Sequence, residues 1–274
     1  MKNFLFILSL VFLGNISTLY SQNLPLVATP PPERHISISF DEAQELGKKI
    51  WKNESNGKEE GLTCWNANED FASLGIGHFI WYPPGSHKIY QETFPDLLAF
   101  MESCGAKAPE WIQKAPGCPW KSRDHFNRKK DSPQMNELRQ YLSDTKALQA
   151  IYMTQRLEVS LAKMTAKLDT IEKRRLSDLF YMLAETKRGR YALVDYLNFK
   201  GEGLQPHEKY GGSGWGLLQV LQEMPKGKLD DPVAAFVASA KNVLARRVKN
   251  APHGKQEQRW LTGWNNRLNT YLER

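Results

Sequence analysis

The sequence predicts an α+β fold dominated by helix. Three observations carry that prediction. Apolar residues recur at helical spacing through most of the chain beyond Pro83-Pro84-Gly85. One early stretch, Leu62 to Tyr82, is instead rich in strand-type residues and punctuated by Gly75 and Gly77. Strands therefore come early and helices late, the order expected of an α+β domain.

The chain opens with Lys2 and an apolar run from Phe4 to Leu13 broken only by Ser9. That run is shorter than the ~20 residues a bilayer span needs. Ser17, Ser21 and Gln22 follow, so residues 1–21 read as a secretory signal cleaved after Ser21. No cysteine lies near the cut, which argues against a lipoprotein. Residues 22–34 carry Pro25, Pro30, Pro31 and Pro32 and read as an extended linker. Residues 35–274 then form one domain. The expected location is periplasmic or extracellular, with no stable membrane insertion after cleavage, and the expected state is a monomer.

With 37 Lys and Arg against 30 Asp and Glu, the formal charge is +7. Such a protein is drawn to anionic polymers. The charge is scattered, and Lys241 to Lys249 reads as a solvated helix face, so no nucleic-acid partner is expected. Of three cysteines, Cys104 and Cys118 flank a short loop and could pair, leaving Cys64 as a small buried residue; the other pairings stay open. No zinc-type spacing appears, and no metal or organic cofactor is implied.

Ser39-Phe-Asp-Glu42 reads as a capping box. Ala43, Leu46 and Ile50 mark one face of a helix that runs to about Glu54 and stops at Asn56-Gly57. Leu62 to Tyr82 reads as short strands or a small hairpin. Asp96 to Ser103 is a short helix, and Cys104 to Lys130 is irregular. Leu138 to Met164 divides into two helices near Ser143-Asp144. Leu168 to Thr186, Tyr191 to Phe199, Trp215 to Met224 and Trp260 to Leu272 are further helices. Asp231-Pro232 pairs an N-cap with proline at the first helical position.

Glu54 is the candidate for chemistry. At a helix C-terminus it meets the negative end of the dipole. If it also faces apolar side chains, its ionised form is disfavoured twice and its pKa rises. A carboxylic acid that keeps its proton near neutral pH can protonate the leaving oxygen of a glycoside. Glu69 and Asp70 are candidates for a second carboxylate that activates water, and the Ser73 hydroxyl would hold that water. Gly75 and Gly77 clear room where a sugar chain passes close to backbone. Trp65, Trp81 and Tyr82 would offer flat faces to sugar rings, although the Phe79–Tyr82 run reads more readily as core. His78 reads as a structural hydrogen-bond partner.

These residues resemble the phage-type lysozymes. The signature of that family is a helix-ending Glu, an acidic residue in a short loop, then Thr-x-Gly-x-Gly-His. Glu54, Glu69 and Ser73-Leu-Gly-Ile-Gly-His78 match it in order, with Ser in place of Thr, Glu69 or Asp70 in place of Asp, and a longer loop. Tyr196 to Gly203, Gly216-Leu-Leu-Gln-Val-Leu221 and Gly263-Trp-Asn-Asn-Arg267 resemble later family segments. The segment from about Pro83 to Arg190 is not covered, and residues 104–130 look like an insertion. The resemblance implies a lysozyme-like, two-lobed domain over 35–274, with the hairpin in its N-terminal lobe. It also implies a muramidase that hydrolyses the β-1,4 bond between N-acetylmuramic acid and N-acetylglucosamine in peptidoglycan, with chitin or chitosan as other substrates of the superfamily.

Two competing expectations stand beside this. Glu202, followed by Gly216-Leu-Leu-Gln219, resembles the lytic transglycosylases, in which one Glu suffices and the product is an anhydro sugar. It ranks below Glu54 because the sequence leaves little room for a hairpin between Glu202 and the next helix. A non-catalytic wall-binding protein could also keep the fold.

Overall fold

A computed structural model describes residues 34–273. The expected signal segment, and the linker up to residue 33, lie outside the described residues. The chain from Arg34 onward forms one compact unit.

The first helix, α1 (Phe40–Ser55), starts as predicted: the Ser39 hydroxyl accepts from the Glu42 N–H at 3.2 Å. The box is only half made, because the Glu42 carboxylate turns away to pair with Arg190 at 2.6 Å. Asn56 ends the helix in the left-handed region at φ 55°, its N–H bonded to the Lys52 carbonyl. Three short antiparallel strands follow, β1 (Thr63–Cys64), β2 (Ala72–Leu74) and β3 (Phe79–Trp81), with β2 in the centre. Ser73 stands opposite Cys64 on one side and Ile80 on the other.

The remainder is helical: α2 (Phe94–Ser103), α3 (Glu110–Gln113), α4 (Arg123–Lys129), α5 (Pro133–Asp144), α6 (Lys146–Thr165), α7 (Thr170–Ala184) and α8 (Lys187–Lys200). After α8 come two short paired strands, β4 (Lys209–Tyr210) and β5 (Ser213–Gly214), and then α9 (Leu217–Glu223), α10 (Pro232–Lys249) and α11 (Gln258–Asn269). The 104–130 segment is thus less irregular than expected, since it contains α3 and α4. The Asp231 cap is as predicted, its carboxylate accepting from the Val233 and Ala234 N–H groups. All three cysteines are free thiols, Cys104 exposed and Cys118 buried, so none of the pairings the sequence left open is made.

One continuous core runs from α1 to α11. The long helix α6 packs against α1, α2, α7 and α8. Gln149, wholly buried on α6, joins the sheet to it. Its amide donates to the Leu142 carbonyl and the Thr145 hydroxyl, and its oxygen accepts from the Ile76 N–H at 2.9 Å. Leaving such a buried N–H unpaired costs about 1–3 kcal/mol. Gly75, at φ 74°, makes this bond possible, because a Cβ there would overlap the Gln149 oxygen. Gly75 therefore clears space for Gln149 and not for a sugar chain.

Candidate functional site

Ala43, Gly47 and Ile50 form the buried stripe of α1, and Glu54 continues it one turn further on. The helix thus delivers the Glu54 carboxylate inward, with its side chain 14% exposed. The environment there is polar and not the apolar one expected. Asn198 Nδ2 donates to Glu54 Oε1 at 3.2 Å, and Arg267 Nη2 donates to the same oxygen at 2.6 Å. His78 Nδ1 faces Oε2 at 3.5 Å.

Asp195 fixes Arg267. It lies wholly buried on α8, three residues before Asn198, and takes Nε and Nη2 of the guanidinium at 2.8 Å each. Tyr271 and Asn53 also donate to Asp195. Burial opposes the Arg267 charge, but Asp195 and Glu54 outweigh it and hold its pKa well above the usual value. His78 has φ 50°, and its Nε2 lies 3.2 Å from the Gly61 carbonyl. A carbonyl only accepts, so Nε2 carries the hydrogen in the neutral ring and the Nδ1 lone pair faces Glu54.

Glu69 sits beside this cluster. Asn66 donates to its carboxylate at 2.9 Å. Burial raises its pKa above the ordinary carboxylate value, against the opposing Asn66 bond. Cys64 joins the predicted groups together: its thiol hydrogen-bonds Ser73, lies 3.9 Å from His78 Nε2, and feels both Glu69 and Glu54. Burial first, then those two carboxylates, push the thiol up to about 12, so it stays protonated. Ser73 is buried beneath this cluster, and Asp70 is exposed.

A cleft of about 760 Å³ lies alongside, lined among others by Gly77, His78, Arg156, Asn198 and Glu202. Gly77 lines the cleft, but a Cβ there would press on Asn198 Oδ1 and the Phe79 ring, so its missing side chain makes room for protein groups. Glu69 and Asp70 line a separate depression of about 340 Å³, and Tyr90 borders both spaces. The Tyr90 ring meets the His207 ring edge-on at 4.9 Å.

Trp65, Trp81 and Tyr82 do not serve as sugar platforms. All three are buried, Trp81 against Phe94 and Trp120, Tyr82 against Phe71, and Trp65 against Phe126. The exposed aromatic at the cleft is Tyr90, which lies in a turn-rich segment where no periodicity marks it.

The room between Glu202 and the next helix is larger than the sequence suggests. The paired strands β4 and β5 stand between Glu202 and α9. Glu202 follows α8 by two residues, lines the cleft, and accepts from the Ser160 hydroxyl at 2.7 Å, with Lys163 Nζ at 3.6 Å. Between Asn198 and Glu202 lies Lys200, buried under the rings of Trp264 and Phe199. The rings favour its charge, but burial first and the nearby Arg247 and Arg267 charges next push it down to about 6.

Sequence reasoning missed Asp195, whose only signal is an acid inside an apolar helix, and Cys64 as the group shared by the cluster. Comparison with known proteins finds no matching family profile, curated protein or solved structure.

Proposed function

We propose that this is an exported, lysozyme-like glycoside hydrolase with a two-lobed domain, cleaving the β-1,4 bond between N-acetylmuramic acid and N-acetylglucosamine in peptidoglycan. One observation carries the reading. Three segments far apart in sequence, each picked out by its resemblance to phage-type lysozymes, supply the three partners of one carboxylate: His78, Asn198 and Arg267 around Glu54.

The arrangement suits a general acid. Both donors converge on Oε1, which leaves Oε2 to carry the proton toward the His78 lone pair or a substrate oxygen. Protonation of the glycosidic oxygen by Glu54 lets the bond to the anomeric carbon break, and water completes hydrolysis. A second reading, a lytic transglycosylase acting through Glu202 alone, draws support from the β4–β5 hairpin that follows that residue.

The test is digestion of purified peptidoglycan with products read by mass. Glu54→Gln should lower the rate by about 10²–10⁴-fold, the usual range for a lost general acid. Undiminished activity in that variant sinks the assignment. Anhydro ends that vanish with Glu202→Gln while Glu54→Gln stays active establish the transglycosylase instead.

A further inference from the structure

We infer that Glu202 is the second carboxylate of the Glu54 site, the base that takes the proton from the attacking water. The inference rests on the hydrolase reading above and replaces Glu69 in that role.

Position is the first argument. Asn198, whose amide touches Glu54, and Glu202, two residues past the end of α8, both line the cleft. His78, the other cleft-lining contact of Glu54, faces the same space. Glu69 and Asp70 line the neighbouring depression, on the far side of the Tyr90 border.

Construction is the second. The Glu202 backbone is held on both sides by the end of α8 and the start of α9. Gly201 and Gly203 both have positive φ, 76° and 82°, which only glycine adopts without strain. The first two N–H groups of α9, Leu217 and Leu218, bond the carbonyls of Gly201 and Glu202 at 2.9 and 3.2 Å. Gly216 packs so closely that a Cβ there would overlap the backbone of Glu202 and Gly203. The Gln219 amide spans the junction, accepting from the Gly216 N–H at 2.9 Å and donating to the Gly203 carbonyl at 3.3 Å.

Chemistry is the third. Ser160 and Lys163 both approach Oε1, and among the described residues Oε2 has no partner. Glu202 thus presents one oxygen held by a hydroxyl and a cation and one free to accept. In the step we assign, Glu54 gives its proton to the leaving glycosidic oxygen as the bond to the anomeric carbon breaks. The water oxygen bonds that carbon from the other face, and Oε2 of Glu202 takes the water proton. The product is inverted.

The experiment uses the full-length chain, purified peptidoglycan strands, and azide as a small anion that can replace activated water. Glu202→Ala should lose about 10²–10⁴-fold in rate with little change in KM. Added azide should restore turnover and yield a glycosyl azide of inverted configuration. Glu54→Gln should not be rescued, and Glu69→Ala should stay within tenfold of wild type. Glu202→Gln, which keeps the Ser160 contact and the fold, should be as slow as Glu202→Ala but not rescued. The inference is overturned if Glu202→Gln keeps more than a tenth of the activity, if azide rescues Glu69→Ala instead, or if wild type releases retained or anhydro products. Inert wild type, or a fully active Glu54→Gln, overturns the hydrolase reading itself, so the two failures are distinguishable.

Discussion

Glu54 and Glu202 both stand at the end of a helix ahead of antiparallel strands, yet they are held in opposite ways. Side chains from distant elements hold Glu54: His78 from the turn before β3, Asn198 from α8 and Arg267 from α11. Backbone holds Glu202, through the two glycines beside it, the start of α9 and the close approach of Gly216. The difference teaches where each is vulnerable. The Glu54 network depends on buried charges, so losing one member endangers the fold. The Glu202 clamp depends on absent side chains, so adding an atom should disturb the site more than the fold.

The most damaging break falls on the charged side. Arg267→Met leaves Asp195 wholly buried with its counter-charge gone, and breaking a buried pair in that way costs about 3–5 kcal/mol. Denaturant unfolding should show a loss of that size. Glu54→Gln, which keeps an acceptor for Arg267, should melt close to wild type. Equal losses in the two variants would mean that Asp195 is not the group Arg267 exists to neutralise.

Lys200 lies between the two sites and offers the next largest effect, read through pH. Its folded pKa is lowered to about 6 by burial and by Arg247 and Arg267, whereas the unfolded amine stays protonated to about 10.4. Between those values the unfolded chain binds the extra proton, so stability rises with pH across that window and is lost as pH falls toward 6. Lys200→Met should flatten the stability profile there, by up to about 1.4 kcal/mol per pH unit. An unchanged slope would show that the amine reaches solvent and stays charged.

How much of this was legible in the sequence differs between the two sites. The helix ending at Glu54 and the strands after it follow from local signals, the Ser39 cap, the Ala43–Ile50 stripe and the Gly-rich run, and all lie as expected. The apolar surround expected for Glu54 was wrong, because Arg267 arrives from more than 200 residues away and no local pattern announces it. Trp81 and Tyr82 lie in the core, as the Phe79–Tyr82 run suggests, whereas Trp65 is buried where a sugar face was expected. Strand periodicity places Trp81 on one face of β3 but does not say that α2 covers that face, as the Phe94 contact shows. At Glu202 the two-residue strands β4 and β5 are too short to leave a periodic signal, so the room for a hairpin was underestimated.

The smallest effect on stability probes the clamp. Gly216 has φ −79°, which any residue adopts, so Gly216→Ala tests contact and not backbone freedom. The new methyl group would meet the Gly203 backbone nitrogen and the Glu202 carbonyl carbon, neither of which yields as a flexible side chain would. Overpacking of this kind costs about 1–3 kcal/mol, less than the loss expected from Arg267→Met. The strain would be relieved by pushing residues 202–203 away from α9, which moves the Glu202 carboxylate relative to Ser160 and the cleft. Peptidoglycan turnover should therefore fall by much more than the melting temperature suggests, while Arg267 and Asp195 keep their contacts because neither touches Gly216. If turnover falls only in proportion to the folded fraction, the tight packing around Glu202 serves the fold alone, and the two helix-end carboxylates differ in purpose as well as in construction.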